Sequence, residues 1–170
     1  MTEKKYKVGM YGGKFCPMHL GHRFVLERAM RECEELHVFM FYNTPEEKES
    51  GSKWFTDPRF RLSQVYRCAR DISDSNADCD CECTIHAINS KKYTIDGADD
   101  WYAEAAHIKQ DAGEINAVYS SEQSYDEFFK TAYPNAEHVI VDPDRTNYNI
   151  HSSDLRPLDD TNQRLYRWLA

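Results

Sequence analysis

Apolar and polar positions along the chain follow two alternating patterns. Five short apolar runs have the length of buried strands. They lie at residues 6–11, 36–42, 82–88, 117–120 and 138–141. Between these runs, apolar residues recur at helical spacing, so the whole chain predicts an α/β domain with a parallel sheet.

The helical pattern is clearest after the first apolar run. Over residues 21–33, apolar residues such as Val25 and Ala29 lie on one face and charged residues fall elsewhere, which predicts an amphipathic helix. Asp57 and Pro58 begin a second helix that reaches about residue 71, with an acidic N-cap and proline at its first position. Further helices are predicted near Trp101, near Ser124 and over residues 161–169.

Two polar stretches, residues 44–56 and 73–80, predict loops. The first follows the carboxyl end of a predicted strand, where open α/β sheets bind their ligands, which makes it a candidate lid; a solvated connector is the alternative. The sequence has no internal repeat and no low-complexity linker. We therefore expect a single domain over residues 1–170 with a short C-terminal helix.

Composition narrows the classes of partner. With 170 residues, 41% of them hydrophobic, the chain can build one domain with a real core. The formal net charge of −8 gives no overall positive field for a nucleic acid or an anionic membrane, so an anionic substrate must be met by local cations. No apolar run has membrane-spanning length and the N-terminus lacks the apolar core of a secretory signal, which predicts a cytoplasmic protein.

The six cysteines are expected to be reduced thiols in such a protein. Cys79, Cys81 and Cys83 alternate, and on a strand their thiols would share one face and could gather a soft metal. Zinc sites generally use Cys-x-x-Cys turns, so we favour thiols on a strand without a metal.

A glycine pair followed by two histidines is the main candidate for chemistry. Gly12 and Gly13 follow the first apolar run, and His19 and His22 lie three residues apart in the first helical turn. Unpaired N–H groups and the positive end of the helix dipole at this point favour a phosphate, to which imidazoles can donate. Two less favoured alternatives are structural histidines and a metal site with Cys16, for which no fourth ligand is evident.

Other nucleotide-binding motifs fail on inspection. Phe15 stands where a Walker loop needs a hydroxyl, and Gly-x-Gly-x-x-Gly does not occur. Near the C-terminus, Ser152 or Ser153 is a candidate N-cap of a short helix whose first turn holds Arg156. A cation there opposes the helix dipole unless a bound anion offsets it; a capped surface turn is the alternative.

These segments together resemble a known family. Residues 12–22 resemble the Gly-x-Phe-x-Pro-x-His-x-Gly-His signature of the nucleotidyltransferase superfamily, and residues 150–156 resemble its second signature, Ile-Ser-x-Ser/Thr-x-Ile-Arg. The similarity is greatest to the nicotinamide mononucleotide adenylyltransferase domain of the bacterial bifunctional NAD-biosynthesis regulator. Four further stretches are similar to that branch: 35–38, 96–97 ahead of Trp101, 120–122 and 141–146.

The resemblance implies a fold and a reaction. The fold would be a Rossmann-like α/β domain with a five-stranded parallel sheet in the order 3-2-1-4-5 and helices on both faces. The reaction would join ATP and nicotinamide mononucleotide to give NAD and pyrophosphate, with Mg²⁺ bound through the ATP phosphates rather than in a protein cage. A homo-oligomer is left open, because the C-terminal helix can dock on its own core or on another subunit.

The resemblance also implies roles for individual residues. His19 and His22 would contact the ATP phosphates, with Lys14 near the reacting phosphates. The remaining ATP-binding residues would be Gly12, Gly13, Phe15, Ser120, Ser121, Arg145, Ser153 and Arg156. For the mononucleotide, Trp101 would stack on the nicotinamide ring and either Arg59 or Arg61 would bind phosphate; a core tryptophan and solvated arginines are the alternatives.

Two residues depart from the second signature. His151 takes the place of its first serine, and Asp154 adds a negative charge beside the implied phosphates. A nucleotide sensor that has lost turnover through these two changes therefore stays open. Independently of them, adenylyl or cytidylyl transfer to another phosphorylated acceptor is a second alternative.

Overall fold

The computed structural model describes residues 3–159 and 161–170, with the backbone alone at positions 53 and 54. Its main sheet has five strands, every neighbouring pair parallel, in the order β3-β2-β1-β6-β7. The strands, in chain order, are β1 (Tyr6–Gly13), β2 (Cys33–Tyr42), β3 (Glu82–Asn89), β4 (Thr94–Ile95), β5 (Ala98–Asp99), β6 (Ala117–Ser120) and β7 (Glu137–Ile140). The predicted order 3-2-1-4-5 is confirmed, because β4 and β5 pair only with each other.

Helices cover both faces of the sheet, as predicted. They are α1 (Leu20–Glu32), α2 (Lys53–Thr56), α3 (Pro58–Ser75), α4 (Trp101–Ala112), α5 (Asp126–Ala132), α6 (Ser152–Leu155) and α7 (Gln163–Trp168). Successive side chains of a strand point to opposite faces. Accordingly, Val38 and Met40 of β2 pack in one cluster with α1 and α3, whereas Phe39 packs in a second cluster with α4 and α5.

A third apolar cluster lies at the carboxyl edge of the sheet. Cys16 and Phe55 pack there with Ile150, Leu155 and Leu165, all of them buried. This cluster joins the β1–α1 loop to α2, α6 and α7. The C-terminal helix therefore docks on its own chain through Leu165, and the two signature segments are held at the same edge.

Two helix boundaries correct the sequence prediction. The N-cap of α6 is His151, not Ser152 or Ser153, because the Asp154 carboxylate accepts the backbone N–H of His151 at 3.0 Å. The last helix begins at Gln163 rather than residue 161, because the Asn162 side chain accepts the N–H of Arg164 at 3.0 Å. Periodicity alone does not locate such caps.

The β4–β5 hairpin was not predicted, since two-residue strands leave no apolar pattern. Its turn does have a sequence signal: Asp96 and Gly97 have φ of 52° and 82°, and two adjacent positive values favour Asp-Gly. The hairpin directly precedes Asp100, whose side chain caps α4 by accepting the Ala103 N–H at 3.1 Å.

The cysteines do not line one strand. Cys79 lies in a short 3₁₀ turn, Cys81 precedes β3, and Cys83 lies within it. All six cysteines are free, and burial raises the pKa of Cys81 to about 12 and that of Cys83 to about 11. Within residues 3–159 and 161–170, no group of three or more His, Cys, Asp or Glu side chains is arranged to hold a metal ion.

A search of the described residues for a helix with the length and apolar character to cross a membrane found none.

Candidate functional site

A cleft of about 470 Å³ opens at the carboxyl edge of the sheet. Gly13 at the end of β1 and Ser120 at the end of β6 lie on it, and these neighbouring strands are not consecutive in the chain. Ligands of open α/β sheets bind at such a crossing point. The N-terminal ends of α1 and α4 also face this cleft, through His19 and Trp101.

The structure brings nearly all the predicted site residues together here. Arg59 and Arg61 alone among them do not line the cleft. The predicted residues on it are Gly12, Gly13, Lys14, Phe15, His19, His22, Trp101, Ser120, Ser121, Arg145, Ser153 and Arg156.

His19 and His22 form a reciprocal cap on α1. Nδ1 of His19 accepts the backbone N–H groups of Gly21 at 3.1 Å and His22 at 3.4 Å. Nδ1 of His22 accepts the backbone N–H of His19 at 3.2 Å. The two rings stack with centroids 3.7 Å apart. Each ring therefore uses Nδ1 within the helix start and keeps Nε2 for another partner.

Gly21 makes this arrangement possible. A Cβ at this position would lie 3.0 Å from both Cε1 and Nδ1 of the His19 ring, which is tighter than nearly all real contacts. The glycine between the histidines thus lets the His19 ring fold back over the first helical turn.

Burial keeps both histidines neutral. Burial, followed by the positive charge of Arg145, lowers the pKa of His19 to about 3. The pKa of His22 is also well below its ordinary value, chiefly because of burial and then because of His19. Since Nδ1 accepts a hydrogen bond in each neutral ring, the proton sits on Nε2. The sequence left the charge state open; the structure favours two neutral Nε2–H donors.

Each of three cations on the cleft is paired with a glutamate. Arg145 donates from Nη2 to Glu122 at 2.7 Å, and Arg156 donates from Nε to Glu49 at 3.2 Å. Lys14 pairs with Glu46. Glu46 and Glu49 belong to one 3₁₀ segment, Pro45–Glu49, which we call the acidic strap. This strap lies in the first half of the predicted candidate lid, residues 44–56, whose last four residues form α2.

Neither of the two candidate phosphate-binding arginines lies on the cleft, which corrects the sequence prediction. The Arg59 side chain is 91% exposed, and its Nη2 lies 3.3 Å from Oδ2 of Asp57, the N-cap residue of α3. Arg61 is fully buried: its Nη1 donates to the Lys14 carbonyl at 2.6 Å and to the Phe41 carbonyl at 3.4 Å, and its Nη2 pairs with Glu47. Arg61 therefore holds the ends of β1 and β2 and the acidic strap together from behind the cleft.

The α4 end of the cleft is aromatic and acidic. Trp101 is 44% exposed and meets Tyr125 and Phe128 edge-on, with centroids 5.7 and 5.4 Å apart, so the core alternative for Trp101 is wrong. Asp99 and Glu104 also line this end. Sequence reasoning missed Glu104, although its place three residues after Trp101 on a helix was a usable signal.

His151 and Asp154 take different places. His151 lines the cleft, whereas Asp154 is exposed, caps α6 through the His151 N–H and is not among the lining residues. The added negative charge of Asp154 is thus turned toward the backbone of its own helix.

Ser120 is anchored by a chain that the sequence did not reveal. Its Oγ lies 2.6 Å from Nε2 of His138, whose Nδ1 lies 3.1 Å from Asp126. The Ser120 Oγ also accepts the Glu122 N–H at 3.2 Å, so this hydroxyl shapes the turn after β6. Side chains on β7 and α5 therefore fix the cleft wall next to β6.

Comparison with known proteins agrees with this geometry. The model of the Cytidylyltransferase-like family matches residues 10–157. The trifunctional NAD biosynthesis/regulator protein NadR of Salmonella typhimurium is 26% identical over 163 residues, and NadR of Escherichia coli is 27% identical over the same length. Each alignment covers 90% of this chain, which spans 37% of the length of these curated relatives.

Solved structures show the same fold at low identity. A NadR protein in complex with NAD and AMP-PNP superposes with a TM-score of 0.64 and 14% identity, over 98% of this chain and 46% of that one. A bifunctional NMN adenylyltransferase/ADP ribose pyrophosphatase from Francisella tularensis gives a TM-score of 0.61 and 14% identity, over 89% and 41% of the two chains.

Proposed function

Because the chain belongs to the cytidylyltransferase-like family, we propose that it is a nicotinamide-nucleotide adenylyltransferase, which transfers AMP from ATP to nicotinamide mononucleotide. The observation that carries the proposal is the stacked, neutral pair His19 and His22 at the start of α1, which faces the cleft. Three cationic side chains and the partly exposed Trp101 line the same cleft. The NadR relatives, named for NAD biosynthesis, support the choice of acceptor.

The reaction is an in-line substitution at the α-phosphorus. A phosphate oxygen of the mononucleotide forms the new P–O–P bond, and the bond from the α-phosphorus to the bridging oxygen breaks, so that its electrons leave with pyrophosphate. The attacking phosphate is already an anion, so no base has to remove a proton from it. Positioning and neutralisation of charge therefore supply the catalysis.

The His19 and His22 Nε2–H groups donate to oxygens on which negative charge grows. The N-terminus of α1 adds the positive end of its dipole to this stabilisation. Lys14 and Arg156, from the two signature segments, bind the triphosphate together with Arg145, from the stretch 141–146. To do so, each exchanges its glutamate for phosphate oxygens.

Mg²⁺ would enter with the triphosphate. The Glu46 and Glu122 carboxylates on the cleft are oxygen donors of the kind that this ion prefers, which fits its presence beside the phosphates. When bound, the ion neutralises phosphate charge. Trp101, at the far end of the cleft, would stack on the cationic ring of the acceptor.

The test is product analysis with a panel of acceptors. Pure protein is mixed with Mg-ATP and with nicotinamide mononucleotide, phosphopantetheine or a polyol phosphate, and pyrophosphate and the joined nucleotide are measured. We expect NAD and pyrophosphate in equal amounts from the first acceptor alone. Turnover with another acceptor would assign a different transfer, and ATP binding without pyrophosphate from any acceptor would indicate a sensor.

A matched variant separates the acceptor end from the triphosphate end. Trp101→Ala should raise KM for nicotinamide mononucleotide about tenfold, since stacking of a cation on tryptophan contributes about 1–2 kcal/mol, and should leave KM for ATP unchanged. An equal rise in both KM values would place Trp101 outside the acceptor subsite.

A further inference from the structure

Positively and negatively charged side chains line different ends of the cleft. His19, His22, Arg145 and Arg156 lie where the two signature segments meet. The α4 end instead carries two carboxyl groups, Asp99 and Glu104, beside Trp101. A ligand that spans the cleft with its anionic part among the cations therefore presents its other part to carboxylates.

Glu104 lies one helical turn after Trp101. Residues three apart on a helix share a face, and both side chains line the cleft. Ser90 donates from Oγ to Glu104 Oε2 at the long distance of 3.4 Å. Within the described part of the chain, no Lys, Arg or His side chain forms an ion pair with Glu104. A half-buried carboxyl group thus faces the cleft without a counter-ion.

The surroundings of Glu104 disfavour its negative charge in the free protein. Burial, and after it the like charge of Asp99, raises the pKa of Glu104 to about 7, against smaller opposite effects of Ser90 and Lys14. Tyr133, whose pKa Glu104 helps to raise, also faces it from the cleft wall. A cation bound beside Trp101 would favour the ionised carboxylate, so binding of the cation and ionisation of Glu104 are coupled.

We propose that Glu104, with Asp99 beside it, makes the Trp101 end of the cleft a subsite for a positively charged aromatic ring that has a neutral substituent. The inference rests on the proposed function and determines which acceptor is used. A pyridinium ring with a carboxamide adds a positive charge and no negative one. The same ring with a carboxylate brings an anion toward Glu104 and Asp99, and like charges this close repel.

The test measures the binding of both mononucleotides by calorimetry, apart from turnover. The variant is Glu104→Gln, which keeps size and the Ser90 contact but removes the charge. Glu127→Gln, at a carboxylate that is 93% exposed on α5 and off the cleft, is the matched control. Circular dichroism checks that both variants fold.

We expect the unaltered protein to bind the amide mononucleotide more tightly than the acid form, and Glu104→Gln to reduce this ratio about tenfold, the scale of one charge interaction at short range in a partly wet site. The affinity of the unaltered protein for the amide mononucleotide, divided by the affinity of Glu104→Gln for the same ligand, should rise from pH 6 to pH 8, because Glu104 ionises over this range. Glu127→Gln should change neither ratio.

The outcomes separate this inference from the proposed function. An unchanged amide-to-acid ratio in Glu104→Gln would overturn the inference while leaving adenylyl transfer intact. The expected ratios without any pyrophosphate release would support the subsite and overturn adenylyl transfer. Failure of both mononucleotides to bind would overturn both.

Discussion

At the scale of single residues, His19 and His22 each hold Nδ1 against a backbone N–H of α1 and leave Nε2 for the cleft. The cap thus does two things at once: it satisfies the helix start and it fixes which nitrogen carries the proton. This suggests a variant that retains the cap and removes the donor.

His19→Asn is that variant, because an asparagine Oδ1 can accept the same N–H groups at the N-cap but offers no Nε2–H. We expect kcat for NAD synthesis to fall about 100-fold or more, as for loss of one positioned donor, with little change in Tm. His107→Asn, at a histidine on α4 outside the cleft, is the control. A His19→Asn enzyme with near-normal kcat would remove His19 from the chemistry.

The low pKa of His19 also predicts how stability depends on pH. His19 stays neutral in the folded state down to about pH 3, whereas in the unfolded chain it takes up a proton below about pH 6.5. The unfolded state therefore binds more protons, and stability that is fully present above about pH 6.5 is lost as the pH falls toward 3.

The free energy of unfolding, from urea titrations at pH 7, 6 and 5, should fall more steeply in the unaltered protein than in His19→Asn. Well below pH 6.5 the difference approaches about 1.4 kcal/mol per pH unit, the effect of one proton. Parallel profiles for the two proteins would show that His19 titrates normally in the fold.

At the scale of elements, the acidic strap Pro45–Glu49 joins three parts of the fold. Glu46 pairs with Lys14 after β1, Glu47 with Arg61 of α3, and Glu49 with Arg156 after α6. The pairs differ in burial: Arg61 is fully buried, whereas Glu49 is 63% exposed. The Glu47 pair therefore anchors the strap, and the Glu46 and Glu49 carboxylates occupy two of the cations that we propose bind the triphosphate.

Removing the negative charge of Glu46 or Glu49, the strap residues paired with cleft cations, should accordingly tighten ATP binding. Glu49→Gln frees the Arg156 guanidinium, so we expect the Kd for Mg-ATP to fall about two- to fivefold, the scale of an exposed ion pair. Glu47→Gln should instead lower stability by about 3 kcal/mol or more, because it leaves the buried Arg61 charge unpaired. A Glu49→Gln protein that binds Mg-ATP more weakly would show that the strap supports the triphosphate instead of competing with it.

The elements also show what the sequence could predict. The apolar runs located the strands of the main sheet within a few residues, because buried parallel strands read as continuous apolar segments. The two histidines were found because they lie close together in the chain. Arg61 was misplaced, since nothing about an arginine between Phe60 and Leu62 signals that it is buried. Its place depends on carbonyls at Lys14 and Phe41, far away in sequence.

At the scale of the whole molecule, the cleft is built from segments that the fold brings together from both ends of the chain. The whole chain has a net charge of −8, and the three cations of the cleft are also each paired with a glutamate of the same chain. The protein therefore presents no strong positive field at the cleft. In the proposed function, selectivity for a triphosphate would come from the placement of donors at one helix start and from the exchange of carboxylates for phosphates, rather than from a general positive field.

Calorimetric titration with Mg-ATP tests this most directly, with the unaltered protein and His22→Ala run side by side. We predict one triphosphate bound per chain by the unaltered protein, and binding at least tenfold weaker in a folded His22→Ala variant. No heat of binding in the unaltered protein, or the same affinity in both, would contradict the assignment of the α1 histidines to the phosphates.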